Sequence, residues 1–456
     1  MRSGYLQVHT VNRPLSVGRS TLAGGGGVRT AGSIARRAQP THVFVKLGFA
    51  TIVLISLWEF IPEFWVKNLR PFGLNVENLL IGLAIALFGL SFFAEPRPFD
   101  WSLLVLSALF LFMAAIGWMD NSLSTFSSRQ FALDALIFAG LLVGVGWGRY
   151  CPIASLVKLL TIIGYLAMIG LPLTLALLLS GRLGVLAGGN QRLYVYSLFA
   201  LTGTLSAIVP VLTAASGLQI NGRRPRWTAT WTFAGVSLVF AAAAVSATRC
   251  VLAQAILGGL FSVLALPRGY TSKRRRRHPL AVGVLAILAL GAYVYTLTYS
   301  EGTLGERLRA TELSSEARTD ELDMMFDQLR GHMHTGLGFG HYYRVDARIS
   351  LELIAAAPHV AIFTPLEKAG VGGFAVCVVL PLFVCASGMI RFRRYPLVVG
   401  FSSGLLLWML FASVSGGWTY LGLFLCGLSW SVALRLMRQV EASKKRPCSN
   451  PTFISA

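Results

Sequence analysis

Apolar residues run through this chain in blocks separated by short polar stretches, with one long polar exception. The blocks cover residues 42–61, 76–94, 101–118, 131–148, 157–180, 194–216, 228–247, 250–267, 280–299, 371–390, 396–414 and 418–436. Each approaches the ~20 residues that cross a bilayer as a helix. A segment in lipid must satisfy its own backbone hydrogen bonds, so such blocks predict helices packed side by side. The expected fold is all-α: a polytopic transmembrane helix bundle of about 12 spans with one large loop that contains short helices. The pattern divides the chain into a basic tail at 1–41, nine spans over 42–299, the polar loop at 300–370, three spans over 371–436 and a second tail at 437–456. An even number of spans puts both termini on one side.

Composition agrees. Hydrophobic residues are 55% of the chain and charged residues 13%, against about 25% charged in soluble domains. The formal charge of +21 raises the question of nucleic acid, but its distribution answers otherwise. Basic residues gather in alternate loops: Arg149 and Lys158, then Arg223, Arg224 and Arg226, then Lys273 to Arg277, then Arg391, Arg393 and Arg394. Both tails are basic too. The positive-inside rule therefore predicts cytoplasmic termini, with 300–370 on the opposite face, and excludes nucleic acid as a partner. The first 40 residues hold no apolar core followed by a cleavage site, so they read as a disordered cytoplasmic tail and not a secretory signal. The six cysteines form no CxxC pair and avoid the polar loop. Neither a disulfide framework nor a zinc site is expected.

The polar interval from Ser300 to Gly373 holds more than half of the acidic residues and four of the seven histidines. Its stretch SSEARTDELDMMFDQLRGH reads as an amphipathic helix capped by Ser314 or Ser315, with Leu322, Met325, Phe326 and Leu329 as the apolar stripe. Arg318 shares the edge of that stripe and needs an acidic partner, from the protein or from a ligand. The acids of Asp320 to Asp323 read as facing water. Gly336, Gly338 and Gly340 lie in GLGFG, which lacks the preceding strand and following GK[ST] of a phosphate loop and reads as a turn. His332 and His334 read as a solvated pair. Thr364, Pro365 and Glu367 have the spacing of a capping box opening a helix. Pro358 disfavours helix before it, so His359 belongs to an irregular segment close to a positive helix end. A neutral imidazole there suits a general base; a hydrogen-bonded interfacial histidine is the alternative. On the same face, Arg249 sits in the tight turn SATRC, where it either snorkels to headgroups or meets an anion. Arg182, Asn190 and Arg192 lie among glycines in a loop that is either solvated or ligand-contacting. Ionisable groups inside the spans are few, Asp134 among them.

In their order along the chain these pieces resemble the O-antigen ligase and Wzy-type polysaccharide polymerase superfamily of bacterial inner-membrane proteins. Arg182, Gly184 and Asn190 stand where that family has R-x-x-G…N, with one residue fewer between Arg and Gly. Ser246 to Arg249 stand for its S-R turn. Arg318 and Gly336-Leu337-Gly338-Phe339-Gly340 stand for its Arg-bearing helix and G-x-G-x-G. His359, Gly370 and Gly373 stand for H-N-x-x-L and G-x-x-G, with Val360 and Phe363 replacing the usual Asn and Leu. The resemblance covers roughly residues 160–390. It implies an inner-membrane enzyme with a large periplasmic loop, using an undecaprenyl-pyrophosphate-linked oligosaccharide as donor. The expected product is a polymer of exopolysaccharide or O-antigen repeats; the alternatives are ligation of the glycan to lipid A core, or transport of the lipid-linked sugar by a flippase. Arg249 and Arg318, with Arg182, are expected on the pyrophosphate, and His359 as base. Asn190, Arg192, Gly336, Gly338 and Gly340 are expected in the substrate loop. No cofactor or metal is implied; membrane lipids and other polysaccharide-assembly proteins are the expected partners.

Overall fold

A computed structural model of the chain describes residues 41–61, 76–94, 101–119, 126–179, 196–216, 229–246, 249–266, 312–344, 354–355, 361–414 and 419–445. Among these the protein is almost entirely helical. The helices are α1 (Thr41–Phe60), α2 (Val76–Ala94), α3 (Trp101–Met119), α4 (Ser128–Tyr150), α5 (Ile153–Leu179), α6 (Tyr196–Ala215), α7 (Ala229–Ser246), α8 (Arg249–Leu264), α9 (Glu312–Leu329), α10 (Thr364–Phe374), α11 (Leu380–Ile390), α12 (Pro396–Val414) and α13 (Tyr420–Lys445). A π-helical segment, Ala375–Val379, joins α10 to α11. The described strands are a two-residue antiparallel pair, β1 (Tyr343–Arg344) and β2 (Ile354–Ala355). Eight of the helical segments are long and apolar enough to cross a membrane, and three shorter apolar helices accompany them. The expected blocks and the observed helices coincide to within a few residues at most ends. The last helix is longer, running on to Lys445, and the block at 280–299 lies outside the described residues.

Helix α6 is the axis: every residue of Leu198–Ala215 is buried. It carries α5, α7, α8 and α12 around it. Helices α4 and α13 make the second seam. Gly140, Gly144 and Gly148 recur every fourth residue on α4, and a Cβ at Gly140 would lie 2.6 Å from the Tyr420 carbonyl oxygen. Lipid tails offer no hydrophobic drive between helices, so small residues that let backbones approach are what make such a seam. Trp147 closes it, buried with ring contacts to Phe49 at 5.2 Å, Phe88 at 6.5 Å and Phe424 at 5.6 Å. Glu59, near the end of α1, is buried and its Oε1 accepts the Leu421 N–H at 3.2 Å. It satisfies one of the donors that the start of α13 leaves without a helical partner. By contrast α2 and α3 show large apolar side chains outward, among them Leu83, Leu90, Trp101 and Leu111.

The packing fixes which helix ends lie together. Gly170 of α5 meets Leu201 of α6 and Phe60 of α1, Gly258 of α8 meets Ser206 of α6, and Ala265 just past α8 packs with Ala214 at the end of α6. Helices α6 and α8 therefore start at the end of the bundle where α1 finishes. Helix α9 docks at that end through its expected stripe: Met325 and Leu329 are fully buried with Leu366, and Phe326 meets Phe363 at 5.7 Å. Two details differ from the sequence reading. The helix begins at Glu312, so Ser314 and Ser315 are interior residues and do not cap it. Of the acids in DELD, Asp320 and Asp323 face solvent but Glu321 is buried. It sits one residue before the stripe, on the side that turns toward α10.

Candidate functional site

The sequence TPLEKAGVGGF builds a helix that breaks. Gly370 has φ 63° and ψ −162°, outside helical geometry and in a region that glycine tolerates. The break strands the carbonyls of Glu367 and Lys368 and the N–H of Val371; an unbroken helix would pair the Glu367 carbonyl with the Val371 N–H and the Lys368 carbonyl with the Gly372 N–H. Stranded backbone groups inside a membrane bundle need partners. Here they come from the polar interval. Leu337 N–H donates to the Glu367 carbonyl at 2.7 Å, Gly338 N–H to the Lys368 carbonyl at 3.0 Å, and Val371 N–H donates to the Met333 carbonyl at 2.8 Å. The glycine turn is thus inserted into the gap of a discontinuous helix.

The turn is fixed at every amide. Gly336 N–H donates to the His332 carbonyl at 2.7 Å, Phe339 N–H to the Met113 carbonyl of α3 at 3.0 Å, and Gly340 N–H to Asp134 Oδ2 of α4 at 2.9 Å. With the two bonds across the helix break, all five amides from 336 to 340 have protein acceptors. Gly336, Gly338 and Gly340 have φ of 70°, 75° and 88°. A Cβ at Gly336 would stand 2.5 Å from the Ala369 nitrogen, and one at Gly338 2.5 Å from the Gly117 Cα. Phe339 is fully buried, its ring 5.4 Å from Phe110 and 5.5 Å from Phe138.

Beneath the turn lies a buried charge cluster. The Lys368 ammonium is 2.9 Å from Glu367 Oε1 and 3.3 Å from Asp134 Oδ2, with side-chain exposures of 1%, 0% and 7% for Lys368, Glu367 and Asp134. It also donates to the His341 carbonyl at 2.7 Å. The ammonium's hydrogen bond goes to that carbonyl, and the two carboxylates lie beside it at ion-pair distance. Asp134 is further held by Gln130 Nε2 on Oδ1 at 2.6 Å. The expected capping box does not form. The three-residue 3-10 turn Ala361–Phe363 runs straight into α10, leaving Phe363 in helical geometry where a cap residue needs extended backbone. Glu367 turns inward to Lys368 instead. Its Oε2 and the Thr364 hydroxyl, one turn apart on one face, have no hydrogen-bond partner among the described residues.

The charges inside the bundle are therefore more numerous than the sequence reading expected. Glu59, Glu367 and Lys368 join Asp134 as buried ionisable residues of membrane-length helices. Lys368 was legible only as a charge directly beside Glu367 at the head of an apolar block. Of the residues singled out from sequence, Gly336 and Gly338 meet the chain at the Gly370 break, and Gly340 sits against the start of α4. Arg249 stands at the start of α8 and Arg318 within α9, both helices meeting the same end of the bundle; their side chains are not among those described. His359, Arg182, Asn190 and Arg192 lie outside the described residues. His332 and His334 are exposed, as expected, and the described residues hold no cluster of three or more His, Cys, Asp or Glu fit for a metal. No family model, curated protein or solved structure matches this chain.

Proposed function

We propose that this membrane protein transfers a glycan from an undecaprenyl-pyrophosphate donor to a sugar hydroxyl at the outer face of the bacterial inner membrane, polymerising repeat units. The observation that carries the reading is the seating of the glycine turn in the broken helix. It attaches an arginine-bearing amphipathic helix to the bundle end where α8 begins with Arg249. Discontinuous helices in membrane proteins gather at binding sites, because irregular backbone at membrane depth is tolerated only where protein or a cavity satisfies it. In this reading Arg249 and Arg318, aided by Arg182, hold the pyrophosphate by forked contacts. His359 takes the proton of the acceptor hydroxyl as the sugar–pyrophosphate bond breaks and the new glycosidic bond forms. The lipid pyrophosphate departs as the leaving group. The termini are cytoplasmic and the polar interval periplasmic.

Transport of the lipid-linked sugar is the rival, and the buried charges give it an argument. A transport path, however, needs polar groups through the bilayer. Glu59, Asp134, Glu367 and Lys368 all gather at one end, with Asp134 only about 9 Å along α4 from Ser128 at 1.5 Å per residue. This distribution supports a surface site more than a passage.

The test uses full-length protein in nanodiscs with undecaprenyl-pyrophosphate-linked repeat units isolated from the cells that make it. Elongated glycan and released undecaprenyl pyrophosphate are the expected products. Loss of a general base reduces rate by about 10²–10⁴, so His359→Ala should yield no visible polymer while the protein still retains donor. Arg249→Lys and Arg318→Lys should lose most activity, since a point charge cannot make the forked contact. Normal polymer from His359→Ala, or donor crossing vesicles without elongation, overturns the reading.

A further inference from the structure

We propose that Lys368 is the positioning residue that seats the polar interval on the membrane bundle. Three pieces of chain converge on its ammonium: α4 through Asp134, the segment after the glycine turn through the His341 carbonyl, and α10 through Glu367. The same residue's carbonyl accepts the Gly338 N–H, so side chain and backbone hold opposite ends of one turn. Asp134 extends the clamp, because its Oδ2 accepts the Gly340 N–H beside the ammonium. A helix that ends and restarts at Gly370 offers its stranded carbonyls to the glycine turn. The ammonium adds a link from both pieces to α4 at Asp134.

The chemistry at the centre is unusual for a membrane bundle. A buried lysine between two carboxylates is not a source of net stability when set against apolar packing, but removal of one partner leaves uncompensated charge. Such a cluster specifies one arrangement over its alternatives. The function assigned here is geometric: Lys368 touches neither donor nor acceptor, and its loss misplaces groups that do. The activity readout rests on the transfer reading, whereas the structural readout does not.

The experiment pairs both on full-length protein in nanodiscs: hydrogen exchange of residues 337–341, and donor turnover at varied donor concentration. Lys368→Met is expected to raise exchange at 337–341 at least tenfold while Leu198–Ala215 stays protected. Turnover should fall through kcat, with KM little changed, since a misplacement of about 1 Å can reduce a rate about 10²-fold. Lys368→Arg, whose fork reaches two carboxylates, should restore much of the protection and of kcat. If Lys368→Met fails to reach the membrane, Asp134→Asn decides: it keeps an acceptor for Gly340 but removes the charge facing the lysine, and exchange at 338–341 should rise. Unchanged exchange in the accumulating variant overturns the proposal. Wild-type protein without transfer activity overturns the transfer reading alone, because exchange still reports whether Lys368 seats the turn.

Discussion

Alanine in place of Gly117 separates the sequence's preference from the structure's. Gly117 is a buried residue in the last turns of α3 with helical geometry. Helix propensity favours alanine over glycine there by about 0.8–1.0 kcal/mol. On α2, Gly82 and Gly89 have nothing within 4 Å of a built Cβ, so Gly82→Ala and Gly89→Ala should gain about that much. At Gly117 the Cβ would strike the Phe339 carbonyl oxygen and stand 2.6 Å from the Phe339 nitrogen. Both are backbone atoms and cannot rotate away, so the turn must lift. Lifting it breaks the Phe339 N–H bond to Met113 and the Gly340 N–H bond to Asp134. A neutral bond contributes about 0.5–1.5 kcal/mol and one to a charged group about 1.5–3. Set against the propensity gain, the net loss is about 1–3.7 kcal/mol. At about 1.4 kcal/mol per factor of ten, amide exchange at Phe339 and Gly340 should rise roughly fivefold to 400-fold. Hydrogen exchange with mass spectrometry on nanodisc-embedded protein reads this directly, with Gly82→Ala as the matched control. If Gly117→Ala protects the turn as well as wild type and stabilises like Gly82→Ala, the close seating of the turn on α3 is wrong.

Two further outcomes are expected. Trp147→Ala removes a buried ring shared by α1, α2, α4 and α13, and should lower stability by about 3–5 kcal/mol, seen as a lower thermal midpoint in detergent; an unchanged midpoint contradicts that packing. His332→Ala and His334→Ala alter exposed side chains and should change stability by less than about 0.5 kcal/mol and leave polymer length unchanged; loss of polymer from either would move the chemistry to that end of the interval.

The stripe of α9 shows how far local pattern reaches. Leu322, Met325, Phe326 and Leu329 were legible because helical spacing puts them on one face whatever that face meets. The cap was not. Ser314 and Ser315 are good cap residues, yet the helix begins at Glu312. The capping box at Thr364 failed for a related reason: its residues are right, but the chain arrives already helical at Phe363 and Glu367 finds an ammonium. The glycines of GLGFG announced a turn. They did not announce that α3, α4 and the gap in α10 would supply acceptors for their amides.

By itself the sequence determined the class of protein, the placing of its described helices and the one interval unlike the rest. Those depend on hydrophobic length and on spacing within a single segment, and both are local. Only the tertiary structure decided that the interval is seated inside a broken helix, and that Asp134 and Lys368, 234 positions apart in the chain, share one contact. A charge at the head of an apolar block reads the same whether it faces water or a buried carboxylate. What distinguishes the two is the burial that comes from neighbours far away in sequence, and no window of the chain contains them.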